Sequence, residues 1–582
     1  MRIPQREDGT EPWVSVLILI AFAMVLREQP IWSMGQFQDD AVYSLSKAGY
    51  LSGGQTLWDY ALAVYGGFWQ IQGRFVPATA FLILPFWVSL EDNLLLYRLI
   101  QTAFHLAALG AFALFVKTLT KDVLAGLLCA VLYVAVMEVR DFHDASHGQF
   151  ILLPLVIVIG SLSGYFAIRA GESAKAFDRR VWMVVLLNVV GALTYEQAIV
   201  FGAMSCLILL FMGALPWKTR LARAALAGLP VVLLAIVGIV LKATMSRYEG
   251  TQFGSIAAVA DAYGKHLSAA VPLSYWWFDP HHRLQDLLGD ARSYPAGVLS
   301  AGALALALGS ATFMTLVRTR AASLAALALA GALLLLVPSS LIALSLKYQR
   351  EAAAGAGYLQ NSISYLGTCV LLFLVLHLAC RAAARLGHAA MLACAALASA
   401  AVGVAGAVGL LSSYRVAEAI NEDWRYPREQ LEVWMHATQP VGGVDRPLLL
   451  IDRPRLYRWE SPEFMWKHWG VRGNIISAAE AKDSRQKPSA VLRMPDRPHP
   501  AAVNLFIESE PGNQTTRALV MSTSRERLME NALTLSRGTR SWPFPDDAWR
   551  GVHGYFFREL VIQGDIADVA EYRLTLSNRG AH

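Results

Sequence analysis

Two adjacent carboxylates, Asp39 and Asp40 in Gln-Phe-Gln-Asp-Asp-Ala-Val-Tyr, are the residues of this chain best suited to taking a proton. Like charges side by side raise one another's pKa unless a cation or a proton donor compensates, and such tension is common where a carboxylate acts as a base. Capping of a following helix accounts for one of the pair and leaves the second unexplained. A second cluster is Arg140-Asp141-Phe142-His143-Asp144-Ala145-Ser146-His147, in which two carboxylates and two imidazoles stand close together. His143 and His147 share a face if this stretch is helical. Their spacing resembles that of metal ligands. A solvated turn is the plainer reading. The firmer expectation is that the cluster lends a carboxylate or an imidazole to a shared cavity, joined there by Glu138 and Glu196.

Cations fall in the same set of loops. Arg74 in Gly73-Arg74-Phe75 offers paired donors that suit a lipid phosphate, and Lys347 and Arg350 offer the same charge. Snorkelling to headgroups is the alternative for each taken singly. The Trp-Trp-Phe-Asp-Pro-His-His run at 276–282 reads first as an aromatic belt. Trp424, Trp434, Trp459, Trp466 and Trp469 suit either sugar stacking or a domain core.

Such residues need a scaffold, and composition names its class. The chain has 582 residues, 55% hydrophobic and only 16% charged, too apolar for a soluble enzyme of this size. This predicts an α-helical polytopic membrane protein, and nothing points to nucleic acid. Apolar segments run from Trp13 to Leu26 and over 94–116, 123–137, 148–168, 181–195, 197–215, 224–243, 294–317, 321–346, 363–380 and 389–411, about eleven spans. No small-residue cleavage site precedes Arg27-Glu28, so the first span is expected to be retained.

Lys and Arg accumulate in loops that stay cytoplasmic. With the N-terminus inside, the inner loops hold Lys117 and Lys121; Arg169, Lys175, Arg179 and Arg180; Lys218, Arg220 and Arg223; Arg318 and Arg320; Arg381 and Arg385. The bias stays in phase through every crossing, so the C-terminal tail is expected outside. Outer loops then cover about 28–93, 138–147, 244–293 and 347–362, beside the tight turn at 194–197. The first is expected to carry interfacial helices over 41–51 and 56–69, then a re-entrant or juxtamembrane segment over 71–90 broken by Pro77 and Pro85. Domains are expected at 1–412, the membrane part, and 413–582, a mixed α/β or β-rich extracytoplasmic part. Its strands are predicted over 447–452, 489–493, 502–507 and 517–522 after a helix over 416–436.

An acidic pair after the first span (Asp39-Asp40), a Gly-Arg-Phe near that loop's end, a second outer loop with Asp141 and Asp144, and a soluble outer domain together resemble the GT-C class of membrane glycosyltransferases. The bacterial arabinofuranosyl-, mannosyl- and aminoarabinosyl-transferases are the nearest analogies, and the resemblance covers about residues 10–412. It implies transfer, with inversion, of a sugar from a polyprenyl-phosphate donor to an extracytoplasmic glycan, lipid or protein acceptor at the bacterial inner membrane, within cell-envelope polysaccharide biosynthesis. It also implies Asp39, then Asp40, as general base and Arg74 and Arg350 beside the departing phosphate. Arg140, Asp141, His143, Asp144, His147 and Glu196 would serve the acceptor or second-loop side, and because some members bind a divalent cation between first- and second-loop acids, Asp40, Asp141, Asp144 and His147 would be the ligands of such an ion (Mg, Mn or Ca) here.

A transporter or flippase of lipid-linked saccharides competes with this reading. Carriers usually place charges or broken helices at mid-bilayer. Here the spans hold little charge beyond Arg98, His105 and Lys242, which favours a one-sided enzyme.

Overall fold

The computed structural model describes residues 12–438 apart from 36, 38–42, 44–46, 48–49, 52–53, 91–92, 141–143, 145–146, 214 and 279–283. Further on it describes 447–451, 474–476, 490–493, 499–510, 514–545, 550–552, 554–564 and 571–578. Asp39, Asp40, Asp141 and His143 therefore lie outside the described residues.

The apolar segments all fold as helices. They are α1 (Pro12–Glu28), α3 (Leu94–Thr120), α4 (Val123–Val136), α5 (Leu152–Gly171), α6 (Arg179–Thr194), α7 (Ile199–Phe211), α8 (Trp217–Met245), α11 (Pro295–Leu316), α12 (Leu324–Ala343), α13 (Asn361–Leu386) and α14 (His388–Ile420). Between them lie α2 (Leu57–Gln70), α9 (Ile256–Ser268) and α10 (Leu284–Ser293), and α15 (Tyr426–Thr438) follows. Among the described residues, eight helices are long and apolar enough to cross a membrane. The shorter α4, α6 and α7 are not among them. Helix starts follow local chemistry: the Asn93, Asp122 and Asp178 carbonyl or carboxylate oxygens accept from Leu96, Leu124 and Arg180 backbone N–H groups at 3.0, 2.9 and 3.0 Å.

Helix faces show two environments. Leu229, Val232, Leu233, Ile236, Ile239 and Val240 on α8 are each more than half exposed, a continuous apolar surface that suits lipid and not water. By contrast, every residue of α4 from Leu124 to Val136 is buried. Inside the bundle, packing is close and polar groups act as glue. A Cβ on Gly367 of α13 would stand 2.5 Å from the Gly331 carbonyl oxygen of α12. Ser163 donates to Asn188 Oδ1 at 2.7 Å and meets Ser205 at 2.9 Å, while Asn188 Nδ2 donates to the Ala227 carbonyl at 3.1 Å. That network joins α5, α6, α7 and α8.

The chain divides into two compact units. One comprises Met1–Ser33 with Trp58–Ala417, the other Met34–Leu57 with Glu418–His582. In the first, the expected re-entrant stretch contains a π-helical turn Thr79–Ile83 leading into the short helix Leu84–Val88, with Pro85 in its first turn. In the second, a π-helical turn Asn421–Arg425 precedes α15, and the Gly35 N–H donates to Asn421 Oδ1 at 3.0 Å.

The second unit is rich in strands. They are β1 (Pro447–Ile451), β2 (Asn474–Ile476), β3 (Ala490–Arg493), β4 (Asn504–Glu510), β5 (Thr515–Ser522), β6 (Asn531–Arg537), β7 (Arg540–Pro543), β8 (Arg550–Val552), β9 (Tyr555–Gln563) and β10 (Arg573–Asn578). A seven-stranded sheet runs β2-β1-β3-β4-β5-β9-β8, and a three-stranded one β10-β6-β7. Pairing is parallel for β1 with β2 and β3 and antiparallel elsewhere. Ile507, Val520 and Ile562 from the larger sheet share one core with Leu533 and Leu535 of β6.

Candidate functional site

A cavity of about 380 Å³ opens in the first unit between the ends of α6, α8 and α12. Arg74 stands at its wall because of the residue before it. Gly73 adopts φ +61°, and a Cβ there would meet the Leu241 carbonyl oxygen at 2.8 Å and Lys242 Cα at 2.9 Å. Only glycine lets the loop turn so tightly against α8. Arg74 then forks onto Glu196, Nε to Oε1 at 2.8 Å and Nη2 to Oε2 at 2.6 Å. Its guanidinium also lies over the Phe68 and Tyr195 rings at 5.5 and 5.3 Å. Lys242 Nζ is 4.0 Å from the same carboxylate. Burial pushes the Glu196 carboxyl up; the Arg74 guanidinium, helped by Lys242, reverses this and holds it at about 2.

Tyrosines contribute much of the remaining lining. Tyr348 and Tyr358 share a hydroxyl contact of 2.5 Å with ring centroids 4.2 Å apart, and Tyr195 and Tyr248 complete the lining. Burial raises the Tyr348 hydroxyl, which keeps it neutral. Two segments, those after α8 and after α12, are zipped together here: Ser345 Oγ donates to the Gly250 carbonyl at 2.8 Å, the Leu346 N–H to the Gln252 carbonyl at 3.0 Å, and Gln349 pairs with both backbone groups of Ser255 at 2.9 and 3.0 Å. Leu234, Ile239, Leu341 and Ile342 supply an apolar side continuous with the exposed face of α8.

The other predicted cations sit differently. Lys347 stands behind the tyrosines, donating to Tyr248 Oη at 3.1 Å, with the Tyr248 and Tyr348 rings at 5.4 and 5.6 Å. Arg350 is exposed and paired with Glu249 at 3.2 Å. Neither lines the cavity.

A second constellation is buried. Arg140 donates to the Gly355, Ala356 and Ala269 carbonyls at 2.8, 2.6 and 2.9 Å, to Glu138 Oε2 at 2.9 Å, to Ser274 Oγ at 3.0 Å and to Tyr365 Oη at 2.6 Å. That clamp ties the segment after α4 to α13 and to the turn after α9. Arg27 at the end of α1 donates to the Met137 carbonyl, and Gln101 Nε2 donates to the His147 and Phe150 carbonyls at 3.1 and 3.0 Å.

Beside this clamp, Glu28 Oε1 lies 3.0 Å from both His105 Nδ1 and His147 Nε2. His147 Nδ1 is 3.1 Å from Asp144 Oδ1. Asp144 in turn accepts the His147 N–H at 2.5 Å and the Arg140 N–H at 2.6 Å. Burial alone would strip the proton from His147, but Glu28 and Asp144 outweigh it and raise the imidazole to about 9. The same ring holds the Asp144 carboxyl below its usual range against the effect of burial.

The structure thus gathers Arg74 and Glu196 at one site, and Arg140, Asp144 and His147 at another, with Asp144 orienting His147. Lys242, Glu28, His105 and the four cavity tyrosines had no part in the expected sites. Lys242 and His105 did carry a signal, since ionisable residues in apolar spans are rare without a purpose. No protein-family model, curated protein or solved structure matches this chain.

Proposed function

We propose that this chain is a membrane glycosyltransferase that takes a sugar from a polyprenyl-phosphate donor at the outer face of a bacterial inner membrane. The cavity at Arg74 carries this reading. It joins a guanidinium and an ammonium at its polar end to an apolar wall continuous with a lipid-facing helix, the combination that an anionic headgroup on a long apolar tail requires. Its volume of about 380 Å³ falls in the range of small-ligand sites.

In the proposed reaction an acceptor hydroxyl oxygen attacks the anomeric carbon and the bond from that carbon to the phosphate oxygen breaks with inversion. Asp39, or else Asp40, takes the hydroxyl proton, and the electron pair leaves with the lipid phosphate. Charge grows on that phosphate in the transition state, so Arg74 and Lys242 favour the transition state over the ground state. General-base help from Asp39 contributes about 10²- to 10⁴-fold.

The test is sugar transfer from a polyprenyl-phosphate donor in membranes. Arg74→Ala is expected to lower kcat/KM for the donor by about 10- to 100-fold, the loss of one charge-assisted fork, and Asp39→Asn to abolish turnover. Wild-type rates in both Asp39→Asn and Asp40→Asn would remove the proposed base.

The buried run Asp144, His147, Glu28 and His105 favours a second reading, a carrier for lipid-linked saccharides, because chained ionisable groups in a membrane protein suit proton coupling. Reconstituted protein that moves lipid-linked sugar between leaflets and makes no glycosidic bond supports the carrier.

A further inference from the structure

We infer that Glu28, His105 and His147 form a binding site for one borderline divalent transition-metal ion such as zinc, independently of the glycosyl-transfer reading. The residues come from three elements: the end of α1, the middle of α3 and the segment leading into α5. None is more than 3% exposed.

Geometry is the first argument. The three donor atoms all lie within 4.8 Å of one another, and the carboxylate oxygen stands 3.0 Å from each imidazole nitrogen. Donors held about 2.1 Å from a zinc-like ion stand roughly 3.0 to 3.4 Å apart for octahedral to tetrahedral angles. The two edges from Glu28 already have that length, and the third lies within 4.8 Å.

Orientation is the second. A metal-bound imidazole usually gives its other nitrogen to a carboxylate, which fixes the ring and its tautomer. His147 does this with Asp144 at 3.1 Å, and two backbone N–H groups hold that carboxylate in place. Nε2 is thereby turned to Glu28.

Charge is the third. Among the described residues, Arg27 interacts with the carboxylates of Glu28, Glu138 and Asp144, and Arg140 with those of Glu138 and Asp144. A buried excess of negative charge is costly unless a cation neutralises it. Two nitrogens and one carboxylate suit zinc, iron or manganese, whereas magnesium and calcium take oxygen ligands. This donor set is also different from the acid-lined one expected at Asp40, Asp141, Asp144 and His147.

A proton on His147 is the rival cation, and metal binding separates the two. Full-length protein purified in detergent without chelator is assayed for bound metal, then stripped with EDTA and titrated with ZnCl₂ and CoCl₂. About one equivalent of zinc is expected, with a rise in unfolding temperature and a visible cobalt spectrum. His105→Ala and Glu28→Gln are expected to lose this uptake, and Asp144→Asn to weaken it by about 10- to 100-fold. Stripped wild-type protein that unfolds cooperatively and takes up neither ion overturns the proposal, as does equal uptake by His105→Ala. Should the variants fail to fold, the wild-type titration decides alone.

Discussion

Arg140 and Arg350 carry the same charge into the same set of loops and meet opposite surroundings. Arg140 is 1% exposed with six partners, whereas Arg350 reaches Glu249 in the open. Removing Arg140 leaves Glu138 buried without its cation, so Arg140→Ala is expected to cost about 3–5 kcal/mol. Arg350→Ala is expected to stay within about 0.5 kcal/mol. Thermal unfolding in detergent compares the two. His266 permits a sharper measurement. It is buried with its Nε2 unpartnered, and burial lowers the imidazole to about 4. The unfolded ring binds a proton below about 6.5 and the folded ring resists until about 4, so this contribution is whole above 6.5 and is lost as pH falls between those values. The loss is at most about 3 kcal/mol. The unfolding temperature of His266→Gln should therefore fall less between pH 7.5 and 4.5 than that of the wild type, and an equal fall refutes the assignment. Residue types alone singled out Arg74, Asp144 and His147. They did not separate a cation in a cavity from one in a clamp, because that depends on carbonyls supplied by distant segments.

Elements were more legible than sites. A run of apolar residues between charged loops specifies a helix wherever water is absent, since every backbone group must be satisfied within the segment. Lengths were less legible: 123–137 looked like a span, and its helix α4 covers 14 residues. Strands β2 and β6 to β10 were not foreseen; β2, β7 and β8 span only three, four and three residues, too few for alternation to register. Helix contacts left a fainter trace still. Nothing local marks Gly367 among the many small residues of the later spans, yet a Cβ there would stand 2.3 Å from the Leu335 nitrogen of α12. Gly367→Val must push α12 and α13 apart, and the expected cost is about 1–3 kcal/mol, seen as a lower unfolding temperature. Gly302→Val, where a Cβ meets nothing within 4 Å, serves as the control.

At the scale of the whole molecule, the number of crossings fixes the side of the membrane on which the C-terminal unit lies. Among the described residues, eight helices have the length to cross; an even number returns the chain to the side on which it began. We propose eleven, because the short helices are completed by other buried chain. With 14 residues, α4 is about 21 Å long, short of a hydrocarbon core of about 30 Å. The chain continues through Met137, Glu138, Val139 and Arg140, all buried, with the Arg140 clamp and the Arg27 bond at Met137 satisfying polar groups that lipid would not. A helix enclosed by its neighbours need not match the bilayer by its own length, since irregular backbone is tolerated where protein surrounds it. Charge bias supports the same parity, although Arg223 shows that an inner-loop cation can also be structural: it is buried, donating to the Ala176 and Ala170 carbonyls at 2.6 and 2.7 Å near the end of α5. With the N-terminus inside, eleven crossings put the C-terminal unit outside. Alkaline phosphatase fused after His582 should then be active in intact bacterial cells, while the same enzyme inserted at Lys175 should be silent. An inactive C-terminal fusion that is nonetheless full length and membrane-bound would mean an even count, with at least one of α4, α6 and α7 failing to cross.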